Sequence, residues 1–235
     1  MKVEVKNSAT TGVDIYLYGD ILSGTPSEYV TKQYPDDKAP MQIQKALDDA
    51  NGQAVNFYIN SGGGSVFGGQ AIASMIKRYS GKTTAYIDGM CASIATVIAF
   101  ATDEVFMSDS ALFMYHKAWS VCFLYGNANE IKEQAGEQCK LLDKIDDTLI
   151  ETYKAHAKND DAFAVIEKGL KSGKDNWLNA DETVAMFNIT KYESAQPVAF
   201  AKSEFTQLPE KYVKATTKKD KVKAKFNADD FLFDF

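Results

Sequence analysis

The amino-acid sequence predicts an α/β protein with a mainly parallel sheet and helices on its faces. Strand-like and helix-like segments alternate from residue 13 to residue 116, and the connections between the strands are too long for simple hairpins. This alternation is typical of βαβ units, in which a helix carries the chain between two parallel strands. The chain has 235 residues, of which 45% are apolar and 25% charged, so we expect a soluble protein with a sizeable core.

Five segments have the composition of strands. The first alternates apolar and polar positions, the second ends at a glycine run, and the remaining three are short and mostly apolar. They are VDIYLYG (13–19), AVNFYIN (54–60), TTAYID (83–88), EVFMS (104–108) and ALFMYH (111–116).

Helices are predicted by apolar residues at helical intervals and by helix-start signals. Thr25 stands three residues before Glu28, with Pro26 at the expected first helical position, and Asn179 stands three residues before Glu182. Both pairs have the spacing of a capping box. In chain order, the first predicted helix begins at Pro26, the next five span 39–52, 66–79, 92–101, 127–157 and 162–170, and the last follows Asn179.

Charge and cysteine content narrow the class of protein. The formal net charge of −6 argues against a nucleic-acid partner. Three cysteines without a C-x-x-C pair favour free thiols in a reducing compartment. We see no signal peptide, and the longest apolar stretch, 91–101, is about half the length a bilayer needs, so we expect a cytoplasmic protein that does not contact membrane. Two distant histidines provide no metal site, and we expect no cofactor.

The amino-acid composition of the sequence changes near residue 207. Lysines are concentrated between Lys211 and Lys225, and acidic and aromatic residues alternate in the closing NADDFLFDF. We therefore predict one domain over residues 1–207 and a tail over 208–235. A charged run of this kind is usually solvated surface, although the final aromatic residues could instead dock on a partner subunit.

The run SGGGS (61–65) lies between a predicted strand and a predicted helix. Glycines there allow a sharp turn and expose backbone N–H groups to an incoming group. A phosphate-binding loop is one alternative, but no Gly-Lys-Ser/Thr ending is present and the spacing fits no dinucleotide fingerprint. A simple tight turn is the other alternative.

Ser93 and Cys91 stand where the third predicted strand passes into a helix. A nucleophile at such a turn needs small residues two positions away on each side, and Cys91 and Ala95 meet that demand around Ser93. A buried, hydrogen-bonded hydroxyl is the alternative. His116 ends the fifth predicted strand, at the edge where parallel sheets place their sites, whereas His156 lies among polar residues and is expected to be exposed.

Three stretches in this order resemble the Clp protease proteolytic subunit family, the ClpP-like serine peptidases. They are NFYINSGGGSVFGGQAIASMI, YIDGMCASIATVIAFA and ALFMYH. Gly63 and Ser93 are 30 positions apart, and Ser93 and His116 are 23 apart, both near the family's spacing. The resemblance implies a ClpP/crotonase-like spiral of repeated β-β-α units with a mainly parallel sheet and a protruding long handle helix.

The resemblance also implies roles for individual residues. Ser93 matches the nucleophile and His116 the general base, while Asp175 in KDNWLNADETVAMF matches the acid, with Asp160, Asp161 and Asp181 as the nearest alternatives. The backbone N–H groups of Gly64 and Ile94 match the oxyanion hole. The implied substrate-binding loop contains Gly62, Gly63, Ser65 and Val66.

Gly62 and Lys117 depart from the housekeeping Clp subunit, where Pro and Gln usually stand. SGGGSVFGGQAI, YIDGMCASIA and GNANEIKEQ are more similar to the ClpP-like head-maturation proteases of phages and prophages. The expected substrates are then capsid or scaffold proteins, in the host cytoplasm. The resemblance further implies a homo-oligomeric ring, heptameric and able to stack, and leaves an AAA+ unfoldase partner open. Three other functions stay open: a general cellular Clp protease proteolytic subunit working with an AAA+ unfoldase, a crotonase-like acyl-CoA enzyme, and a catalytically inactive ring or assembly protein.

Overall fold

The computed structural model describes residues 6–8 and 12–193. The strands are β1 (Lys6–Ser8), β2 (Gly12–Tyr18), β3 (Val55–Ser61), β4 (Thr83–Ala92), β5 (Glu104–Ser108), β6 (Leu112–Tyr115), β7 (Asn176–Asn179) and β8 (Thr190–Tyr192). The helices are α1 (Glu28–Gln33), α2 (Pro40–Ala50), α3 (Val66–Arg78), α4 (Ile94–Ala99), α5 (Ala128–His156), α6 (Asp160–Lys171) and α7 (Ala180–Met186). The predicted tail, 208–235, lies outside the described residues.

The sheet is mainly parallel, as the alternation of elements predicts. Its strands lie in the order β1-β2-β3-β4-β5-β8, and β6 pairs with both β4 and β7. Only the pairs β1–β2 and β6–β7 are antiparallel within this sheet. The prediction of a mixed α/β fold with a mainly parallel sheet and a long helix is therefore confirmed.

One face of the sheet is buried in the core, and the other carries a row of partly buried aromatic rings. Alternate residues of β2 and β3 point into the core, which is the pattern expected of half-buried strands. The largest fully buried side chains on the strands are Ile15, Leu17, Phe57, Ile59, Ile87 and Phe113. On the other face, Tyr16, Tyr58, Tyr86 and Phe106 occupy matching register positions, and their rings stack at centroid distances of 5.0, 5.3 and 5.4 Å.

Close packing brings α3 onto α4. A Cβ atom at Gly69 would lie 2.2 Å from Cγ1 of Ile94, so only a residue without a side chain allows this approach. Gly68 in the same helix lies as close to the backbone oxygen of Leu22, where a Cβ would meet it at 2.1 Å. The two glycines of SVFGGQ therefore allow the start of α3 to pack closely against Leu22 and Ile94.

The N-terminal half of α5 leaves the core. Its buried residues are Asp146, Leu149 and Tyr153, all in the C-terminal half. The segment before it, residues 117–126, has no regular secondary structure and exposes the aromatic rings of Trp119, Phe123 and Tyr125. No helix within the described residues combines the length and the apolarity needed to cross a bilayer.

Two local predictions are wrong in their boundaries. The helix expected to begin at Pro26 begins at Glu28, because its first hydrogen bond runs from the N–H of Thr31 to the carbonyl of Ser27, which places Ser27 rather than Thr25 at the N-cap. The strand expected to end at residue 88 continues to Ala92, because its last three residues pair with β6. By contrast, the second capping box forms as predicted, with Asn179 and Glu182 bonding each other's backbone.

Candidate active site

Ser93 lies at a sharp turn between β4 and α4. Its backbone has φ 55° and ψ −129°, a conformation that is strained for a residue with a side chain. Three hydrogen bonds hold it there. The N–H of Ser93 donates to the carbonyl of Met114 at 2.9 Å, and the hydroxyl and the N–H of Thr96 donate to the carbonyl of Ser93 at 2.6 and 3.0 Å. The turn aims the partly exposed hydroxyl outward, while the flanking Cys91 and Ala95 are buried.

His116 reaches Ser93 because of the pairing between β4 and β6. Ala92 pairs with Met114, so Ser93, directly after Ala92, and His116, two residues after Met114, both lie beyond the carboxyl ends of these parallel strands. Nε2 of His116 lies 2.8 Å from Oγ of Ser93. The side chain of His116 is only 14% exposed, so its ring is held in place by its surroundings.

Asp175 reaches the other side of the imidazole because of the antiparallel pairing between β6 and β7. Tyr115 pairs with Asn176, which sets His116 opposite Asp175 in the same register. Oδ1 of Asp175 lies 2.9 Å from Nδ1 of His116. A carboxylate only accepts hydrogen bonds, so Nδ1 carries the proton and Nε2 is left to accept from the Ser93 hydroxyl.

The structure separates Asp175 from the three alternative acids. Asp181 forms an ion pair with Lys191 on the surface, and Asp160 and Asp161 stand in the first turn of α6. Asp175 alone among these four hydrogen-bonds the imidazole of His116. Its side chain is 58% exposed, so water has access to the outer part of this hydrogen-bonded chain.

The glycine run lies directly against Ser93. Gly63 and Gly64 have φ values of 97° and 137°, which glycine alone adopts without strain. A Cβ at Gly63 would lie 2.8 Å from Cβ of Ser93 and 2.8 Å from the carbonyl oxygen of Ala92. The absence of a side chain at Gly63 therefore creates the room in which the Ser93 turn packs.

Two backbone N–H groups remain open beside the Ser93 hydroxyl. Ile21 forms two backbone hydrogen bonds to the glycine run. Its N–H donates to the carbonyl of Gly63 at 2.7 Å, and its carbonyl accepts from the N–H of Ser65 at 2.8 Å. Within residues 12–193, no protein acceptor takes up the N–H of Gly64 or that of Ile94, the first residue of α4. Such groups can bind an anionic oxygen.

The remaining residues of the run shape the start of α3 and the rim of the site. Oγ of Ser65 caps α3 by accepting from the N–H of Gly68 at 3.2 Å, and Val66 begins the helix. Gly62 is exposed, and a Cβ there would meet only the end of the Met90 side chain at 3.6 Å. Gly62 is therefore not required by packing, in contrast to Gly63.

A cleft of about 420 Å³ opens in front of Ser93. Its wall contains residues from four separate segments of the chain, and its only aromatic side chain among the described residues is the exposed Trp119. The lining residues are Asp20, Gly62, Gly63, Gly64, Val66, Ser93, His116, Ala118 and Trp119. The cleft is therefore open space directly beside Ser93 and His116.

Asp146 of α5 secures the chain just after His116. It is 7% exposed, and its two carboxylate oxygens take different partners. Oδ1 accepts from the backbone N–H of Ala118 at 2.8 Å, and Oδ2 pairs with Nζ of Lys117 at 3.0 Å. Lys117 is thereby directed away from the imidazole next to it, and the pairing raises the pKa of its ammonium group.

Tyr153, two turns further along α5, supports the Ser93 side of the site. Its hydroxyl lies 2.8 Å from Oγ1 of Thr96, and because Thr96 donates its own proton to the Ser93 carbonyl, Tyr153 is the donor. Burial raises the pKa of Tyr153, which keeps this donor protonated. Asp146, Thr96 and Tyr153 carry no sequence signal of these roles, since nothing in their local pattern distinguishes them from ordinary helix residues.

Two smaller expectations have clear outcomes. Cys91 is fully buried, and burial raises the pKa of its thiol, so it stays protonated and fills space beneath the turn. The prediction that His156 is exposed is wrong. The residue is half-buried, its ring stacks on that of Phe100 with the centroids 4.4 Å apart, and its Nδ1 bonds the carbonyl of Thr152 at 2.8 Å.

No group of His, Cys, Asp and Glu side chains within the described residues is arranged to hold a metal ion.

Comparison with known proteins gives one family. The sequence matches the family described as Clp protease over residues 31–187. An "ATP-dependent Clp protease proteolytic subunit 1" from Protochlamydia amoebophila is 31% identical over 173 residues, covering 72% of this chain and 75% of the relative. The protein of the same name from Chlamydia muridarum is 30% identical over 135 residues, covering 57% of this chain and 66% of the relative. An "ATP-dependent Clp protease proteolytic subunit" from Leuconostoc citreum is 26% identical, covering 56% of this chain and 62% of the relative.

Alkylation tests whether Cys91 is chemically available beside Ser93. Iodoacetamide at neutral pH should modify the exposed Cys139 and leave Cys91 unmodified, because Cys91 is buried and its raised pKa keeps the thiolate population negligible. Peptide mass spectrometry reads out the three sites, and the same reaction in urea should modify all of them. An adduct on Cys91 in the folded protein would contradict this arrangement.

Proposed function

Since the chain belongs to the Clp protease family, we propose that it is a serine endopeptidase in which Ser93 is the nucleophile, His116 the general base and Asp175 the acid. One observation carries this proposal: the hydrogen-bonded chain from the Ser93 hydroxyl through both nitrogens of His116 to the Asp175 carboxylate. Distances of 2.8 and 2.9 Å are those that general-base chemistry requires. A crotonase-like hydratase has no use for such a Ser–His pair.

The reaction begins with attack of Oγ of Ser93 on a peptide carbonyl in the cleft. Nε2 of His116 accepts the hydroxyl proton, and Asp175 stabilises the resulting imidazolium through Nδ1. The carbonyl oxygen becomes an oxyanion, which the N–H groups of Gly64 and Ile94 bind. Loss of one such donor typically costs about 3–4 kcal/mol of transition-state stabilisation.

Collapse of this intermediate breaks the peptide bond. His116 returns its proton to the leaving amine, and the acyl group stays on Ser93 as an ester. Water then enters the cleft and its oxygen attacks the ester carbon as His116 takes its proton, and the same N–H groups bind the second oxyanion. When this intermediate collapses, the bond to Oγ of Ser93 breaks, His116 returns the proton to that oxygen, and the carboxylic acid leaves. No metal or cofactor takes part in this proposed sequence.

The glycine run provides the edge along which the peptide lies. Gly62 and Gly64 are exposed, Gly63 holds the run against Ser93, and Ser65 and Val66 continue it into α3. An extended peptide can form backbone hydrogen bonds to such an edge, which gives affinity without demanding one sequence. This is the basis for assigning residues 62, 63, 65 and 66 to substrate binding.

We further propose that the chain assembles into a homo-oligomeric ring, heptameric and able to stack. The segment 117–126 supports an interface, because it exposes Trp119, Val121, Phe123 and Tyr125 together. Exposed apolar residues in one contiguous segment are typical of protein contact surfaces. The relatives' printed names include "ATP-dependent" and "subunit", which supports an ATP-using unfoldase as a partner in the cytoplasm.

A role in phage head maturation stays a prediction from sequence resemblance. It rests on SGGGSVFGGQAI, YIDGMCASIA and GNANEIKEQ, whereas the relatives named above are Clp proteolytic subunits. The peptidase proposal is the same for capsid, scaffold or cellular protein substrates, since it depends only on the chemistry around Ser93. A catalytically inactive assembly role would leave the hydrogen-bonded arrangement of Ser93, His116 and Asp175 without a purpose.

A fluorophosphonate probe tests the nucleophile directly. The wild-type protein should be labelled on Ser93, because His116 activates that hydroxyl and the probe's phosphoryl oxygen occupies the position of the oxyanion. Ser93→Ala should lose labelling completely, and Ser80→Ala, which removes an exposed hydroxyl outside the cleft, should keep it. Labelling that persists in Ser93→Ala would refute the assignment.

Substitution of the four aspartates tests the acid. Asp175→Asn should lower kcat/KM for peptide hydrolysis by about 10²- to 10⁴-fold, because an amide no longer fixes the tautomer or stabilises the imidazolium. Asp160→Asn, Asp161→Asn and Asp181→Asn should stay close to wild type. If one of these three variants were impaired and Asp175→Asn were active, Asp175 would not be the acid.

Multi-angle light scattering tests the assembly. Wild-type protein at micromolar concentration should have several times the mass of one chain, and Phe123→Asp, which places a charge on the most exposed ring of the segment, should lower that mass. Tyr29→Asp alters an exposed ring on α1 and should leave the mass unchanged. A monomeric wild-type protein would contradict the ring.

A further inference from the structure

The cleft has one carboxylate among its lining residues within the described chain, and the reaction scheme does not use it. Asp20 follows β2 at the carboxyl edge of the sheet and lines the cleft together with Ser93 and His116. It is exposed and separate in sequence from the glycine run. A charge in this position faces whatever peptide lies against Ser93.

The backbone around Asp20 is held rigidly. The N–H of Asp20 donates to Oδ1 of Asp37 at 2.9 Å, and its carbonyl accepts from the N–H of Lys38 at 2.9 Å. The next residue, Ile21, is bonded to both Gly63 and Ser65. The Cα atom of Asp20 is thus fixed relative to the glycine run, and only the side chain can rotate.

The carboxylate itself has no partner within residues 12–193. No ion pair or side-chain hydrogen bond involves its oxygens, although its backbone groups are fully engaged. Lys38, whose backbone N–H bonds the Asp20 carbonyl, is buried, and its ammonium group donates to the carbonyl of Asp36 at 2.5 Å. On the other side of the cleft, Lys117 is held by Asp146.

The local charge around Asp20 is net negative, because the ammonium group of Lys38 interacts with Asp36 and Asp37 and not with Asp20. Asp37 adds a second carboxylate at hydrogen-bond distance from the Asp20 backbone, and Asp36 precedes it. A bound peptide would displace water from this part of the cleft, which strengthens the attraction between a carboxylate and a cationic side chain.

From this arrangement we infer that Asp20 is a specificity-determining residue, which selects peptides with a Lys or Arg side chain close to the cleaved bond. The inference rests on the proposed peptidase function and adds a substrate class to it. Arg and Lys carry the long stems that reach a carboxylate from an extended backbone. An acidic side chain at the same substrate position would be disfavoured by repulsion.

Internally quenched peptides test the inference in the full-length oligomer. One parent peptide carries Gln at every position around its cleavage site, and each member of the series replaces a single Gln by Lys or by Glu. Wild-type enzyme should cleave the best Lys peptide about fivefold better than the Gln parent in kcat/KM, the gain expected of a partly solvated ion pair. The gain should shrink as salt is added.

Three variants of the enzyme separate a charge effect from a general one. Asp20→Asn should bring the Lys-to-Gln ratio to about one. Asp20→Lys should invert the preference, so that the Glu peptide becomes better than the Gln parent. Asp161→Asn, which removes an exposed carboxylate from α6 outside the cleft, should keep the wild-type ratio.

Fluorophosphonate labelling distinguishes the two possible failures. A wild-type protein that is labelled and cleaves peptides, but whose Lys-to-Gln ratio is the same in Asp20→Asn, would overturn the role of Asp20 and leave the peptidase intact. A properly assembled wild-type protein that is neither labelled nor active on any peptide would overturn the peptidase proposal, and with it the inference.

Discussion

The arrangement of the site depends on one constraint, which is the register of β6 between its two neighbours. β6 pairs in parallel with the end of β4 and antiparallel with β7, so residues 93, 116 and 175 leave their strands at the same edge. A shift of one residue in either pairing would turn a side chain to the other face of the sheet and break the hydrogen-bonded chain. Buried Phe113, between Cys91 and Leu178 in this register, resists such a shift.

The turn at Ser93 stores strain that its neighbours must balance. A positive φ at a residue with a side chain typically costs about 1–3 kcal/mol. Here the Met114 carbonyl and the Thr96 hydroxyl bond the two backbone groups of Ser93, and Gly63 leaves space beside its Cβ. The strain turns the hydroxyl toward the cleft, while the next N–H, that of Ile94, stays free at the start of α4.

The parts of the protein that local sequence could predict are those with a local cause. Periodicity and glycine runs identify β2 to β6 and the main helices, and the spacing of Gly63, Ser93 and His116 follows from this alternation. Residues that act across the fold have no such signal: Asp146 lies in an ordinary helical pattern and meets Lys117 only through tertiary packing. Asp20 could have been noticed, because parallel sheets place their sites beyond the carboxyl ends of strands. The predicted N-cap at Thr25 is wrong because the first hydrogen bond of α1 uses the carbonyl of Ser27, which makes Ser27 the N-cap.

Helix α5 supports both the chain after His116 and the turn at Ser93. Asp146 and Tyr153 are seven residues apart, which places them on the same face of a helix. Asp146 secures the chain after His116, and Tyr153 reaches Ser93 through Thr96. The exposed half of the same helix also holds segment 117–126, through Gln134 to the Tyr125 carbonyl and Gln138 to Ser120. A displacement of α5 along its axis would therefore strain the contacts to the imidazole and to the hydroxyl at the same time, because both depend on the same helix.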